Sequence, residues 1–387
     1  LFCIALFAPL ISNNKPLVYI NSNKIYFPAL DDLFTLSPSI TDNNYTNGFS
    51  IFPLIPYTPK QIDFNNTNYA SPLKKQNVPS IYYRHWLGTD LLGRDVLSGL
   101  IYGSRIALLI GFISMWVSFV IGFLLGSLAG YLADDTIKIN WIELLLLLLF
   151  ILFCFYYVLI VLKFEWIFSW KNGLLDFIKL TMQVALKLLL LGFVLFTIVK
   201  TLRKWSLKLI KPSIYLPVDF VITRFIEVFE SIPTLFLIIA LMALVKPSIG
   251  YVITIIGLTA WMPLARYTRA EFLKLRKRAF IEAAHALGYG HLRIILVHIF
   301  PNTLGPLLIS LTFGIAGAIL AESTLSFLGL GLSADEVTWG SLLASARQAP
   351  NAWWLVVFPG LMIFVTVAAL NSLGHRLIKT INKQYNV

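Results

Sequence analysis

Charge is scarce in this chain. Of 387 residues, 13% are Asp, Glu, Lys or Arg and 58% are hydrophobic. Ordinary soluble domains carry about 25% charged and about 45–50% apolar residues. The scarcity is concentrated in blocks: residues 106–132 hold no charged side chain at all. A run of about 20 apolar residues matches the hydrocarbon thickness of a bilayer when helical, and lipid offers backbone groups no partner but one another. An all-α polytopic membrane protein is therefore expected, not a soluble fold. Cysteine is nearly absent too. Cys3 and Cys154 both lie in apolar runs, which excludes a disulfide framework and a Cys-based metal site. Also missing are the G-x-x-x-x-G-K-[ST] phosphate loop and the H-E-x-x-H zinc motif, so neither ATP binding by that route nor zincin chemistry is expected. Of the five histidines, His291 and His298 stand seven apart with no acidic or Cys neighbour, and they read as interfacial residues rather than ligands. The net charge of +12 does not indicate nucleic acid, because the basic residues fall between apolar blocks.

What is there divides into two materials. Residues 12–105 form a long extramembrane loop rich in Asn, Ser, Pro and Tyr. Short strands are expected at 17–20 and 24–27, and an interfacial amphipathic helix at 84–105. Apolar blocks follow at 106–132, 141–162, 174–199, 228–245, 249–265, 302–321 and 353–373. Residues 1–11 read as the second half of a truncated first helix, with a signal-peptide remnant as the alternative; counting them makes eight candidate spans. Within 174–199, Asp176, Lys179, Gln183 and Lys187 recur at three- and four-residue steps and draw one polar stripe on a helix. It reads as interfacial or protein-packed, with a solute path as the alternative. Pro233 is expected to kink its helix.

Lys and Arg set the orientation. With the N-terminus cytoplasmic, segments 133–140, 200–212, 266–293 and 374–387 hold sixteen of them, and the short outer segments 163–173, 246–248 and 322–352 hold four. The Asn-rich loop is then outside and the C-terminus inside.

The most informative segment is the basic inner loop 266–293. Within it 279–287 is a short helix by propensity, and Gly288 suits the left-handed residue that ends one. Ala283, Ala284 and Ala286 would leave a smooth face for another protein, with Glu282 as a directional charge.

These residues resemble a known family. Glu282-Ala-Ala-x-x-x-Gly288, with Pro301 thirteen residues beyond the glycine, is similar to the E-A-A loop of binding-protein-dependent ABC importer permeases. His85-Trp-Leu-Gly-Thr-Asp-Leu-Leu-Gly-Arg-Asp95 and Ile101-Tyr-Gly-Ser-Arg105 resemble the signature before the second helix of the C-type oligopeptide/dipeptide/nickel permeases. Glu322-Ser-Thr-Leu-Ser-Phe-Leu-Gly-Leu-Gly331, with Trp339-Gly340 after it, is similar to their outer loop after the fifth helix. Lys15-Pro-Leu and Tyr26-Phe-Pro resemble, more weakly, the microcin C-type branch. The resemblance covers roughly 81–132 and 216–380.

The resemblance implies a six-helix permease core, its first helix truncated, with 133–215 an insertion of two further helices. It implies an inner-membrane, multi-pass permease for peptides or a related small solute, and not an enzyme. A related B-type permease would complete a heterodimer, two ATPase subunits would supply ATP and Mg binding, and an extracytoplasmic binding protein would deliver solute. No cofactor is expected in this chain, and its other neighbour is membrane lipid. Glu282, Ala283, Ala284 and Gly288 are the implied ATPase-coupling residues; Trp339 is a candidate for contact to the binding protein or partner permease, and Glu322 reads as a helix-end carboxylate at the outer surface, with the same contact as the alternative. A secondary transporter or channel, a membrane-embedded enzyme and a non-transporting scaffold are the alternatives. The first predicts charges inside the core spans, which hold almost none.

Overall fold

The computed structural model describes residues 1–21, 24–33, 49–172, 174–205, 214–333 and 335–385. Among the described residues, four helices are long and apolar enough to cross a membrane: Val96–Leu132, Ile249–Leu275, His291–Phe327 and Trp354–Lys379. The interrupted pair Val218–Glu230 and Thr234–Met242 makes a fifth if counted as one span.

The chain divides into two units, one of residues 1–121, 233–264 and 304–387, the other of residues 122–232 and 265–303. The core of the first joins Ile106 and Ile110 to Ile255, Ile256, Ile315, Ile319 and Trp354. Small residues let its helices approach. A Cβ on Gly257 would stand 2.9 Å from Val117, and one on Gly111 3.0 Å from Ile319, the close contact by which helices associate in lipid. It also carries a three-stranded antiparallel sheet in the order Lys24–Tyr26, Val18–Asn21, Phe49–Ile51, with Tyr19 opposite Tyr26 and Ser50. The expected strands are thus found within a residue or two. Residues 1–11 form two short helices, Phe2–Leu6 and Ala8–Ile11, and Ala8 packs with Ile55, Tyr57 and Tyr102.

In the second unit Gly126 and Gly130 seat one helix on another. A Cβ at Gly126 would run into the Ala265 carbonyl, and one at Gly130 would lie 2.5 Å from the Phe272 Cβ. Beyond them Tyr131, Phe272, Leu275, Ile281, Ala284, Ile294 and Ile299 form a separate core. Residues 141–205 fold as Trp141–Tyr156, a π-turn at Tyr157–Val161, then Lys163–Asn172 and Leu174–Trp205. Asn140 caps the first with a capping box to Glu143, the signature Asn-x-x-Glu.

Three expectations are corrected. Residues 84–105 are not one interfacial helix: Gly88 and Gly93 take left-handed conformations (φ +80° and +84°), and helix begins only at Val96, continuous to Leu132. Block 228–245 is not one helix, since helix stops at Glu230 and restarts at Thr234 after Pro233; proline's missing N–H and fixed φ account for the break. The inner loop is shorter than 266–293, because helix continues from Trp261 to Leu275 and resumes at His291. The basic tail from Lys200 to Lys211 lies partly outside the described residues. The polar stripe is surface: Lys179 and Asp176 are well exposed and 4.0 Å apart.

Candidate functional site

The site is the helix Ala279–Ala286 and the arm Trp261–Leu275 that leads to it. Alanine-rich sequence favours helix here, and Glu282 lies in the first turn, where a carboxylate complements the helix dipole. The end is a Schellman motif. Gly288 N–H donates to the His285 carbonyl at 2.9 Å and Tyr289 N–H to the Ala284 carbonyl at 3.1 Å, with Gly288 at φ +77°. Nothing lies within 4 Å of where a Gly288 Cβ would stand, so conformation, not space, selects glycine.

The helix has two faces. Ile281 and Ala284 are buried against Phe272 and Leu275. Phe280, Glu282, Ala283, Ala286 and Leu287 are exposed, Leu287 at 71%. Ala284 therefore does not belong to the outward surface with Ala283. It is small because the helix lies close on the arm. His285 stacks toward Tyr131, and the Tyr131 hydroxyl meets His291 Nδ1 at 2.8 Å. His298 instead stacks on Tyr289. Among the described residues no His, Cys, Asp and Glu group is arranged to hold a metal.

The arm is fixed by arginines that the sequence reading passed over. Arg269 forks onto both carboxylate oxygens of Asp219. Arg266 pairs with Glu230. Arg276 donates to Asp135 at 2.6 and 2.7 Å and to the Tyr131 carbonyl at 3.4 Å. The Arg276 hydrogen bonds hold the Asp135 carboxyl below the usual carboxylate range. A signal existed: Arg266 and Arg269 share one helix face, and Asp219 and Glu230 sit near the two ends of one amphipathic helix.

The other two motifs are buried joints of the first unit. His85 is fully enclosed, with Nδ1 2.9 Å from Asp95 and Nε2 3.1 Å from Asp63, its ring stacked on Tyr57. Both carboxylates only accept, so both ring nitrogens donate. Burial pushes the His85 pKa down, but the bonds to Asp95 and Asp63 outweigh it and the net direction is up. Burial raises the Asp63 pKa, and hydrogen bonds from Asn66 and His85 overcome it, leaving it lowered. Asp95 also caps the long helix by accepting from Ser98 N–H at 2.7 Å.

Glu322 is wholly buried and accepts from the Ser326 hydroxyl at 2.7 Å. Trp339 is 1% exposed, and its indole N–H donates to the Leu100 carbonyl at 2.9 Å. A Cβ on the neighbouring Gly340 would stand 2.8 Å from the Ser326 side chain. Neither Glu322 nor Trp339 presents surface to another protein. As contact residues both expectations are corrected: they join the end of one helix to the start of the next.

With this geometry in place, comparison with known proteins is specific. Residues 214–386 match the family described as the binding-protein-dependent transport system inner membrane component. The chain is similar to a putative peptide transport system permease protein of Brucella suis, 40% identical over 44% of this chain and 57% of that protein. It is also similar to the dipeptide transport system permease protein DppC of Bacillus subtilis, 28% identical over 79% of this chain and 70% of that one. The chain spans little more than half the length of the Brucella relative. A solved structure of a methionine ABC transporter matches with 13% identity and a TM-score of 0.43 over 72% of this chain and 95% of that one, a likeness that carries no argument. The chain is a multi-pass inner-membrane protein of helical fold, and the family match begins at residue 214.

Proposed function

We propose that this chain is the C-type membrane subunit of an ATP-driven, binding-protein-dependent importer of peptides or a related small solute. It pairs with a B-type permease, two ATPase subunits bind at Ala279–Ala286, and a binding protein docks on the loop side. ATP and Mg are held by the ATPase subunits. The observation that carries this reading is the two-faced helix. Ile281 and Ala284 fasten it to the arm, while Glu282, Ala283 and Leu287 stand free.

Movement imposed on the exposed face passes to the arm through a packed core and not through a flexible loop. Packed cores transmit displacement because they resist deformation, and helices that shift as rigid elements are a common form of switching. Glu282, Ala283 and Gly288 are the coupling residues. Ala284 serves from the inner face.

The test is uptake and ATP hydrolysis measured together in the assembled transporter. Glu282→Lys alters the exposed face, and Gly288→Pro removes the left-handed turn. Each is expected to lower uptake per ATP hydrolysed while leaving the chain in the membrane. Unchanged uptake per ATP in both variants would refute the assignment.

A further inference from the structure

The inserted residues leave and return through a narrow neck. Lys138–Ile139 pairs antiparallel with Ile214–Tyr215, Lys138 opposite Tyr215 and Ile139 opposite Ile214. The Lys138 ammonium lies 4.9 Å from the Tyr215 ring centre. Leu216 N–H donates to the Ile137 carbonyl at 2.9 Å, and Phe220 N–H to Asp134 at 3.1 Å. The neck is also tied to the arm on both its strands' flanks. Asp135, just before the ladder, holds Arg276; Asp219, just after it, holds Arg269. Between these lies the close approach of Gly130 to Arg269 and Phe272.

A bidentate Arg–carboxylate pair fixes distance and angle together. Arg269 makes such a pair with Asp219, through Nε and Nη2, and Arg276, just past the arm, adds a second tie from Nη2 to both oxygens of Asp135, so the arm has little freedom to rotate alone. The inserted helices themselves pack on one another, Lys163–Asn172 along Leu174–Trp205.

We propose that Asp219 with Arg269, and Asp135 with Arg276, are positioning residues for coupling: they join neck and arm into one body, so that motion of Ala279–Ala286 reaches the membrane helices undiminished. The inserted helices are a separable module mounted on that neck. This rests on the coupling reading above, and the experiment separates the two.

In the assembled transporter, uptake per ATP is measured for Asp219→Asn, for Arg269→Gln, and for the charge exchange Asp219→Arg with Arg269→Asp. A fourth variant replaces residues 140–213 by an Asn-Gly turn, which closes a two-residue hairpin on the existing ladder. Gly288→Pro is run beside them. The single changes are expected to lower uptake per ATP by about fivefold or more, the range of ordinary allosteric coupling. The exchange restores most of it, and the turn variant stays within about twofold of the parent on the same scale. If Gly288→Pro uncouples but the single changes keep the parent ratio, the positioning role is overturned. It is overturned equally if the exchange fails to restore what a single change loses, assembly included. A turn variant that falls as far as Asp219→Asn overturns the separable module. If Gly288→Pro itself keeps the ratio, the coupling reading is what fails.

Discussion

Arg269 and Lys179 are both cations on long helices of the same unit, and they are treated oppositely. Arg269 forks onto Asp219 and sits where Gly130 brings two backbones together. Lys179, on the inserted helix, is 75% exposed and stands 4.0 Å from Asp176. The same contrast holds for apolar residues. Phe272 on the arm and Ile281 beside it are fully buried, whereas Leu186, Leu189, Leu190 and Phe193 of helix Leu174–Trp205 are exposed. The arm is specified by close packing and directed ion pairs. Helix Leu174–Trp205 instead carries an apolar exterior with few fixed contacts.

The largest break in that comparison should come from truncating one apolar residue in each region, buried at Ile281 and exposed at Leu189. Ile281→Ala is expected to cost about 2–5 kcal/mol, as core truncations do, whereas Leu189→Ala should stay within about 0.5 kcal/mol. Thermal denaturation in detergent reads the difference. Next is the same Gly→Ala change at two sites. At Gly130 the new methyl meets the Phe272 Cβ at 2.5 Å, while at Gly192 it meets the Phe150 ring at 3.5 Å. Overpacking predicts a loss of about 1–3 kcal/mol at the first. Relief of glycine's backbone entropy predicts a gain of up to about 1 kcal/mol at the second. Equal shifts would remove the distinction.

A smaller effect uses pH to compare the neck with the outer loop. The folded-state pKa of His85 is raised, so its contribution is complete below about pH 6.5 and is lost as pH rises through the raised value. That of Asp135 is depressed, so its contribution is present above about pH 3.8 and is lost as pH falls through the lowered value. Between pH 6 and pH 9 (roughly, bracketing the ordinary His range), amide exchange around Asp63–His85–Asp95 should quicken beyond the intrinsic rate. The Asp135–Arg276 region should not. His85→Gln should abolish the difference. The smallest effect is Lys179→Ala, expected to change stability by less than about 0.5 kcal/mol, as exposed pairs contribute little.

Much of the site was legible in sequence because its signals are local. The alanines and Gly288 placed a helix at 279–287, and the structure has Ala279–Ala286 with Leu287 as its cap. What sequence could not show was which alanine faces inward, since that depends on Phe272 and Ile281 meeting across a loop. The clamps were hidden for the same reason: Asp219 lies 50 residues from Arg269, and Asp135 lies 141 from Arg276. Glu322 and Trp339 misled because a motif marks a constraint without saying whether it serves contact or burial. The break at Pro233 was legible as a kink, and the continuous helix from Val96 was not, because Gly88, Gly93 and Asp95 read as breaks inside a helix and not as the turn before one.

The central claim is that Ala279–Ala286 presents one face to an ATPase subunit and the other to its own arm. Site-directed cross-linking from Ala283→Cys and, separately, Ala284→Cys, with Cys3 and Cys154 replaced by serine, tests it directly in the assembled transporter. Ala283→Cys is predicted to cross-link to the ATPase subunit and Ala284→Cys to remain unlinked. Cross-linking from Ala284→Cys alone, or from neither position, would contradict the account.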